Sequence, residues 1–81
     1  MLIRLGKIFR KTFRNTYLVR CGKVPKIGSL VALSSGEVVG KVIDVFGPVN
    51  LPYIEIKPLR EDIELLGQVV YLKVKRWENA I

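Results

Sequence analysis

The sequence GKVIDVFGPVNLPYIEI at positions 40–56 carries the most information about the fold. It begins as an apolar strand, turns at Gly47 and Pro48, and enters a second segment in which apolar and polar residues alternate. Glycine can adopt a positive φ angle and proline fixes φ near about −65°, so the connecting loop has few conformations available. The stretch therefore predicts two neighbouring strands joined by a stiff corner.

The rest of the chain also favours β-structure. Val and Ile are frequent and Ala is rare, and β-branched side chains pack well on a pleated sheet. Gly and Pro interrupt the apolar segments at short intervals. Closing short antiparallel strands into a barrel removes their exposed edges, so we predict one all-β domain over residues 1–81, a small six-stranded antiparallel barrel. Its strands are expected over 2–9, 17–21, 29–33, 38–46, 53–57 and 68–75.

The segments between these strands are predicted from their turn residues. A basic polar stretch occupies 10–16, a hairpin turn 34–37, and 60–67 has room for one helical turn that Gly67 would cap. Gly40 is predicted to be a bulge or a point of close approach. The alternation in the last two strands places Ile54, Ile56, Val70, Leu72 and Val74 inward and Tyr53, Glu55, Lys57, Tyr71, Lys73 and Lys75 outward.

The composition argues against an enzyme. A domain of 81 residues buries only about 60% of its unfolded surface, which leaves no room for a core and a deep cleft. The chain has no His and only one cysteine, Cys21, so it has neither the commonest general base nor the means for a disulfide or a multi-cysteine zinc site. With no membrane-length apolar run and no signal segment, we expect a cytoplasmic protein without metal or cofactor.

The charge is uneven along the chain. The net charge is +7, and the residues before Glu37 include eight basic and no acidic ones. This pattern suggests a polyanion nearby, either RNA or an acidic protein surface. Phe9, Phe13 and Tyr17 are interleaved with these cations, either as an RNA-stacking surface or as core residues beside a solvated rim. The candidate cationic contacts are Arg10, Lys11, Arg14, Arg20, Lys23 and Lys26.

Other reactive side chains have simpler interpretations. Glu61, Asp62 and Glu64 are interpreted as a solvated loop, because no partner motif accompanies them. Asp44 is expected to bond to the backbone or to Lys41, or to face solvent. Cys21 is expected to be a small buried strand residue.

Apolar residues are in surplus around the corner. They comprise 49% of the chain, which exceeds what a small barrel interior holds, and segment 38–46 carries them on both faces. The following loop adds Val49 and Leu51. A contiguous apolar strand and loop suggest a docking surface.

The same region resembles the signature of a known family, the small Gar-type β-barrel subunit of box H/ACA ribonucleoprotein particles. The resemblance implies a barrel of the kind found in translation elongation factors and some reductases, in the minimal archaeal form without Gly/Arg-rich arms. The residues that carry it are Gly40-Lys41-Val42, Asp44, Phe46-Gly47-Pro48-Val49 and Pro52-Tyr53, with further similarity at Leu5-Gly6-Lys7, Pro25-Lys26-Ile27-Gly28 and Gly67.

The resemblance also implies a role. Such a subunit is non-catalytic, binds the catalytic domain of a dyskerin-like pseudouridine synthase and promotes loading and release of substrate RNA, while guide RNA and the other core proteins are mostly indirect partners. The alternative is a stand-alone basic RNA-binding barrel acting in rRNA maturation. On the first interpretation the synthase contacts are Val42, Phe46, Gly47, Pro48, Val49, Leu51, Pro52 and Tyr53.

Overall fold

The computed structural model describes residues 1–74, and these residues form one curled antiparallel sheet. The strand order is β1-β7-β4-β5-β6-β3-β2, with every neighbouring pair antiparallel. The all-β prediction is confirmed. The strands are β1 (Leu2–Lys7), β2 (Arg10–Lys11), β3 (Tyr17–Arg20), β4 (Leu30–Ala32), β5 (Val38–Phe46), β6 (Tyr53–Pro58) and β7 (Val69–Lys73).

The sheet has seven strands, one more than predicted. The first strand was predicted over 2–9, but it ends at Lys7. The chain then bends and pairs with β3, where the amide of Phe9 donates to the carbonyl of Leu18 at 3.1 Å. This pairing creates the short strand β2 within a segment that the sequence predicted to be a loop. The turn brings β1 back over β3, so the sheet is barrel-like: a Cβ at Gly6 would lie 3.1 Å from Val19 Cγ2.

The core lies inside the curl and is almost entirely apolar. Val70 and Leu72 of β7 and Ile54 and Ile56 of β6 are buried as predicted, whereas Val74 is only partly buried. The predicted outward position of Lys75 lies outside the described residues. The buried cluster consists of Leu5, Ile8, Tyr17, Val19, Val31, Val39, Val42, Ile54, Ile56, Leu65, Val70 and Leu72.

Gly40 is a point of close approach, as predicted. A Cβ at this position would lie 2.7 Å from Ile56 Cγ2 and 3.0 Å from the Lys57 carbonyl oxygen. The pairing register also shifts beside it, between Val31 and Ala32 of β4. Only glycine lets β5 and β6 pack at this distance.

The predicted helical turn in 60–67 was wrong, because residues 1–74 contain no helix. The segment forms separate turns around Leu65, whose side chain is 1% exposed. The amide of Gly67 donates to the Ile8 carbonyl at 2.9 Å, and that of Ile8 donates to the Gln68 carbonyl at 2.9 Å. These bonds to Ile8, the residue after β1, hold the end of segment 60–67 in an extended conformation and not in a helical turn.

Glu55 lies on the predicted outer face of β6, but it is not exposed to solvent there. Its side chain is 2% exposed, although it alternates with the buried Ile54 and Ile56 along β6. The turn at 12–16 covers the outer face of the strand here, and Arg14 and Thr16 bond the carboxylate. The pattern along one strand cannot predict a cover supplied by another segment.

Candidate partner-binding surface

The loop 47–52 joins two strands that pair up to their ends. Phe46 at the end of β5 lies opposite Tyr53 at the start of β6. Gly47 has φ = 94°, as the sequence predicted, and a Cβ there would lie 2.7 Å from Tyr53 Cδ2. Both the backbone angle and the space against the tyrosine ring therefore require glycine.

Three aromatic rings cluster beside this loop and form what we call the aromatic face (Phe9, Phe46 and Tyr53). The rings of Phe46 and Tyr53 stack with centroids 5.5 Å apart, and those of Phe9 and Tyr53 are 6.0 Å apart and tilted by 45°. Phe9 is 47% exposed and Phe46 42% exposed. With Arg10 and Leu18 the three rings line an open depression of about 310 Å³.

Arg20 of β3 contacts loop 47–52 and the adjoining Tyr53. Its guanidinium carbon lies 4.8 Å from the centroid of the Tyr53 ring, and its Nη2 donates to the Leu51 carbonyl at 3.1 Å. A cation over an aromatic ring and a bond to the loop backbone each favour one loop conformation. Arg20 is thus engaged with the loop, a role that the sequence did not predict.

The loop side chains are mostly open to solvent. Val49 is 92% and Leu51 40% exposed, Gly47 and Pro48 are exposed, and Tyr53 is half-buried. Two of the predicted contact residues have no exposed surface to offer. Val42 is fully buried because it lies opposite Ile56 on the inner side of β5, and Pro52, the last residue of the loop, is also buried.

The six candidate cations fall into two groups. Three have partners: Arg14 bonds Glu55, Arg20 bonds the loop, and Lys11 lies 3.8 Å from Glu64. The other three are exposed, and their side chains have no ion pair within residues 1–74: Arg10, Lys23 and Lys26.

The sequence left open whether the aromatic residues among the N-terminal cations lie in the core or form an exposed stacking surface, and they differ in this respect. Tyr17 is a core residue whose hydroxyl donates to the Ile63 carbonyl at 3.1 Å. Phe9 belongs to the aromatic face, and Phe13 is 100% exposed.

The other reactive side chains that the sequence suggested are in ordinary structural environments. Glu61, Asp62 and Glu64 are exposed, which confirms the solvated loop, and Asp44 Oδ1 accepts a bond from the Val45 amide at 2.8 Å. The prediction for Cys21 was wrong in part, because this residue follows the end of β3 and is only half-buried against the core. Among the described residues, no three His, Cys, Asp or Glu side chains come together as metal ligands, and no helix suits a membrane span.

Comparison with known proteins identifies the family. A family model described as the Gar1/Naf1 RNA binding region matches residues 3–79. This chain is a member of the Gar1/Naf1 family. Membership gives it an RNA-binding role associated with the H/ACA ribonucleoprotein, in a family without catalytic activity. The structure explains part of the Gar1-type motif, since Gly40 and Gly47 occupy positions where a side chain would collide with β6.

Archaeal relatives are similar along most of their length. An uncharacterized protein of Methanocaldococcus jannaschii is 42% identical over 67 residues, which cover 83% of this chain and 80% of the relative. An uncharacterized protein of Methanothermobacter thermautotrophicus is 36% identical over 81 residues, covering 90% of this chain and 88% of the relative.

Proposed function

We propose that this protein is a non-catalytic subunit of the H/ACA ribonucleoprotein that guides pseudouridylation of rRNA. It binds the catalytic domain of a dyskerin-like pseudouridine synthase and promotes loading and release of substrate RNA. The other core proteins and the guide RNA are mostly indirect partners, and the particle acts in the cytoplasm. The synthase contacts are the aromatic face and the exposed side chains of loop 47–52.

The observation that carries this proposal is a stiff loop that holds apolar side chains in solvent. Gly47 needs its positive φ, prolines stand at 48 and 52, and Arg20 bonds the loop backbone. Val49 is nonetheless 92% exposed. A loop that is ordered before binding loses little entropy in a complex, so more of its contact energy appears as affinity.

The aromatic face extends this surface beyond the loop. Tyr53 lies between Phe46 and Phe9, so the rings are continuous with the loop. Aromatic side chains are enriched at protein interfaces, and an open apolar depression flanked by Arg10 suits an apolar partner surface with acidic residues at its edge.

A second candidate function is direct binding of rRNA by the isolated barrel. It is favoured by three exposed cations that have no ion pair within residues 1–74, Arg10, Lys23 and Lys26, and by the solvent-exposed ring of Phe13. Such binding would be dominated by phosphate contacts and would weaken steeply as salt is added.

Filter binding with an H/ACA guide RNA separates the two candidates. The full chain is titrated with RNA alone and in the presence of the synthase, at two salt concentrations. The subunit proposal predicts tight RNA retention only when the synthase is present. Tight retention without it, falling steeply with salt, would support the stand-alone barrel.

Co-purification tests the partner directly. The tagged chain is expected to purify with the synthase at equal stoichiometry, at a salt concentration that removes exposed charge contacts. Failure to recover the synthase under these conditions contradicts the proposal.

A further inference from the structure

The turn at 12–16 between β2 and β3 is ordered by its own backbone. The amide of Thr12 donates to the Thr16 carbonyl at 2.8 Å, and that of Asn15 donates to the Thr12 carbonyl at 3.1 Å. Thr12 Oγ1 also accepts from the amides of Arg14 and Thr16. Asn15 has φ = 62°, an angle that asparagine tolerates better than most residues.

The same turn is fixed to the sheet by a buried carboxylate. Arg14 Nη2 and Thr16 Oγ1 both donate to Glu55, at 2.8 and 2.6 Å from Oε2. Within residues 1–74 no buried side-chain polar atom lacks a partner. The negative charge of Glu55 is therefore matched from the turn side, and the turn cannot swing away from β6 without exposing that charge.

This fixed turn presents Phe13 to solvent. The ring is 100% exposed, whereas the neighbouring Thr16 is buried. A fully exposed ring contributes no packing to the isolated domain, and the ordered turn sets the backbone that carries it in advance of any partner.

A groove runs beside the turn, and two of its three cations, Arg14 and Arg60, are already ion-paired. It has a volume of about 320 Å³, with Arg14 and Asn15 on the turn side and 57–61 on the other. Lys57 is exposed and has no ion pair within residues 1–74. Arg60 is paired with Asp62 at 3.3 Å but its side chain stays 64% exposed, and Glu61 is the single acid of the lining.

We propose that this turn and groove form a second surface, which binds single-stranded RNA. A base stacks on Phe13, and the adjoining phosphates lie along the groove near Lys57. An exposed aromatic ring on a turn that shares a groove with the exposed Lys57 suits a stacked base and its backbone, because every base has a stacking face and every linkage a negative charge. A protein partner is less well matched, since the two residues that follow Phe13 and line the groove, Arg14 and Asn15, are polar.

The surface is distinct from the proposed synthase contacts. Tyr53 begins β6 and Lys57 lies close to its other end, and the two depressions have no lining residue in common. The inference therefore does not depend on the synthase assignment. With one ring and few cations, the contact is weak in isolation, in contrast to the tight binding that would define a stand-alone RNA-binding barrel.

Fluorescence anisotropy tests the proposal on the full chain at low salt. The probe is a labelled, unstructured oligouridylate of about ten nucleotides, a length within the site sizes of single-strand binders. Phe13→Ala and Phe13→Leu are expected to raise the Kd about fivefold or more, while Phe13→Trp retains or tightens binding, because stacking needs a π-face. Lys57→Gln should also weaken binding and reduce the slope of log Kd against log salt by about 0.7. Circular dichroism checks that each variant is folded.

Several outcomes would overturn this inference. One is that the oligouridylate does not bind the unaltered chain at low salt. Another is that the Kd of Phe13→Ala, or that of Phe13→Leu, equals the Kd of the unaltered chain. Loss of synthase co-purification in Phe13→Ala would also overturn it, by assigning the turn to the protein interface. Loss of synthase binding in a variant of loop 47–52 alone would contradict the proposed function and leave this RNA surface unaffected.

Discussion

Arg14 Nη2 lies 2.8 Å from Glu55 Oε2 and 2.9 Å from Oε1, so one guanidinium nitrogen serves both oxygens of a carboxylate that is 2% exposed. Thr16 Oγ1 donates a further bond to Oε2. An isolated buried carboxylate is strongly unfavourable, whereas a paired and hydrogen-bonded one is tolerated. The pair therefore fixes the 12–16 turn on β6.

Removing the cation should destabilise the domain. Arg14→Ala leaves Glu55 buried with only Thr16 as a partner, and we expect the free energy of unfolding to fall by about 2 kcal/mol, below the range for fully buried pairs because the arginine is half in solvent. Urea denaturation measures the change. Arg4→Ala, at an exposed position without an ion pair in residues 1–74, is the matched control.

A double variant separates the charge from the packing. Arg14→Ala combined with Glu55→Leu removes both partners, so it should recover much of the stability lost in the single variant. If Arg14→Ala and Arg4→Ala have the same unfolding free energy, the pair does not stabilise the fold.

The close approach at Gly40 predicts intolerance of even one methyl group. Gly40→Ala places a Cβ 2.7 Å from Ile56 Cγ2 and 3.0 Å from the Lys57 carbonyl, and we expect a loss of about 2 kcal/mol in the free energy of unfolding. Gly22→Ala is the control, because its nearest neighbour is the Asn50 carbonyl at 3.9 Å. Thermal unfolding of both variants measures the difference, and equal midpoints would contradict the strand spacing described here.

Substitution of Arg20 should weaken binding of the synthase more than it lowers the stability of the fold. Arg20→Ala removes the contact with the Tyr53 ring and the bond to the Leu51 carbonyl, so the free loop samples more conformations. We expect unfolding free energy to fall by no more than about 1 kcal/mol, and synthase affinity to fall about fivefold. Affinity is measured by titration calorimetry.

Lys23→Ala is the control for charge in this prediction. Lys23 has no ion pair within residues 1–74. Equal weakening by both variants would assign the effect of Arg20 to its charge and not to the loop.

A charge at the tip of the loop tests the proposed interface most directly. Val49→Asp should abolish co-purification with the synthase, because an unpaired carboxylate in an apolar interface costs several kcal/mol. The barrel should stay folded, since Val49 is 92% exposed.

Leu66→Asp is the matched control for Val49→Asp. It introduces the same charge at a side chain that is 51% exposed and lies in another loop. Synthase recovery with Val49→Asp at the level of Leu66→Asp would rule out loop 47–52 as the contact.

Local features of the fold were predictable from sequence. The all-β class follows from β-branched composition, and the corner at 47–52 follows from Gly47 and two prolines whose backbone angles are restricted wherever they occur. The exposure of Val49 was predictable as well, because an apolar residue on a short stiff loop has no strand to turn it inward.

Contacts between distant segments were not predictable. Arg14 and Glu55 are 41 residues apart, and Arg20 and Leu51 are 31 apart. Strand periodicity places Glu55 on the outer face correctly, but it carries no information about which segment covers that face. Val42 was expected at the partner surface but is buried in the core. Its strand has apolar residues on both sides, so the pattern does not indicate which of them face the core.

Six of the seven strands, the glycines at 40 and 47 and the apolar loop follow from the sequence, because each depends on backbone angles and on periodicity within a few residues. The pairing that creates β2, the burial of Glu55 under Arg14, the contact of Arg20 with the loop, and the clustering of Phe9 with Phe46 and Tyr53 arise only in the folded chain. These features depend on how the sheet curls and which turns fold over it, and that is set by the packing of the whole chain.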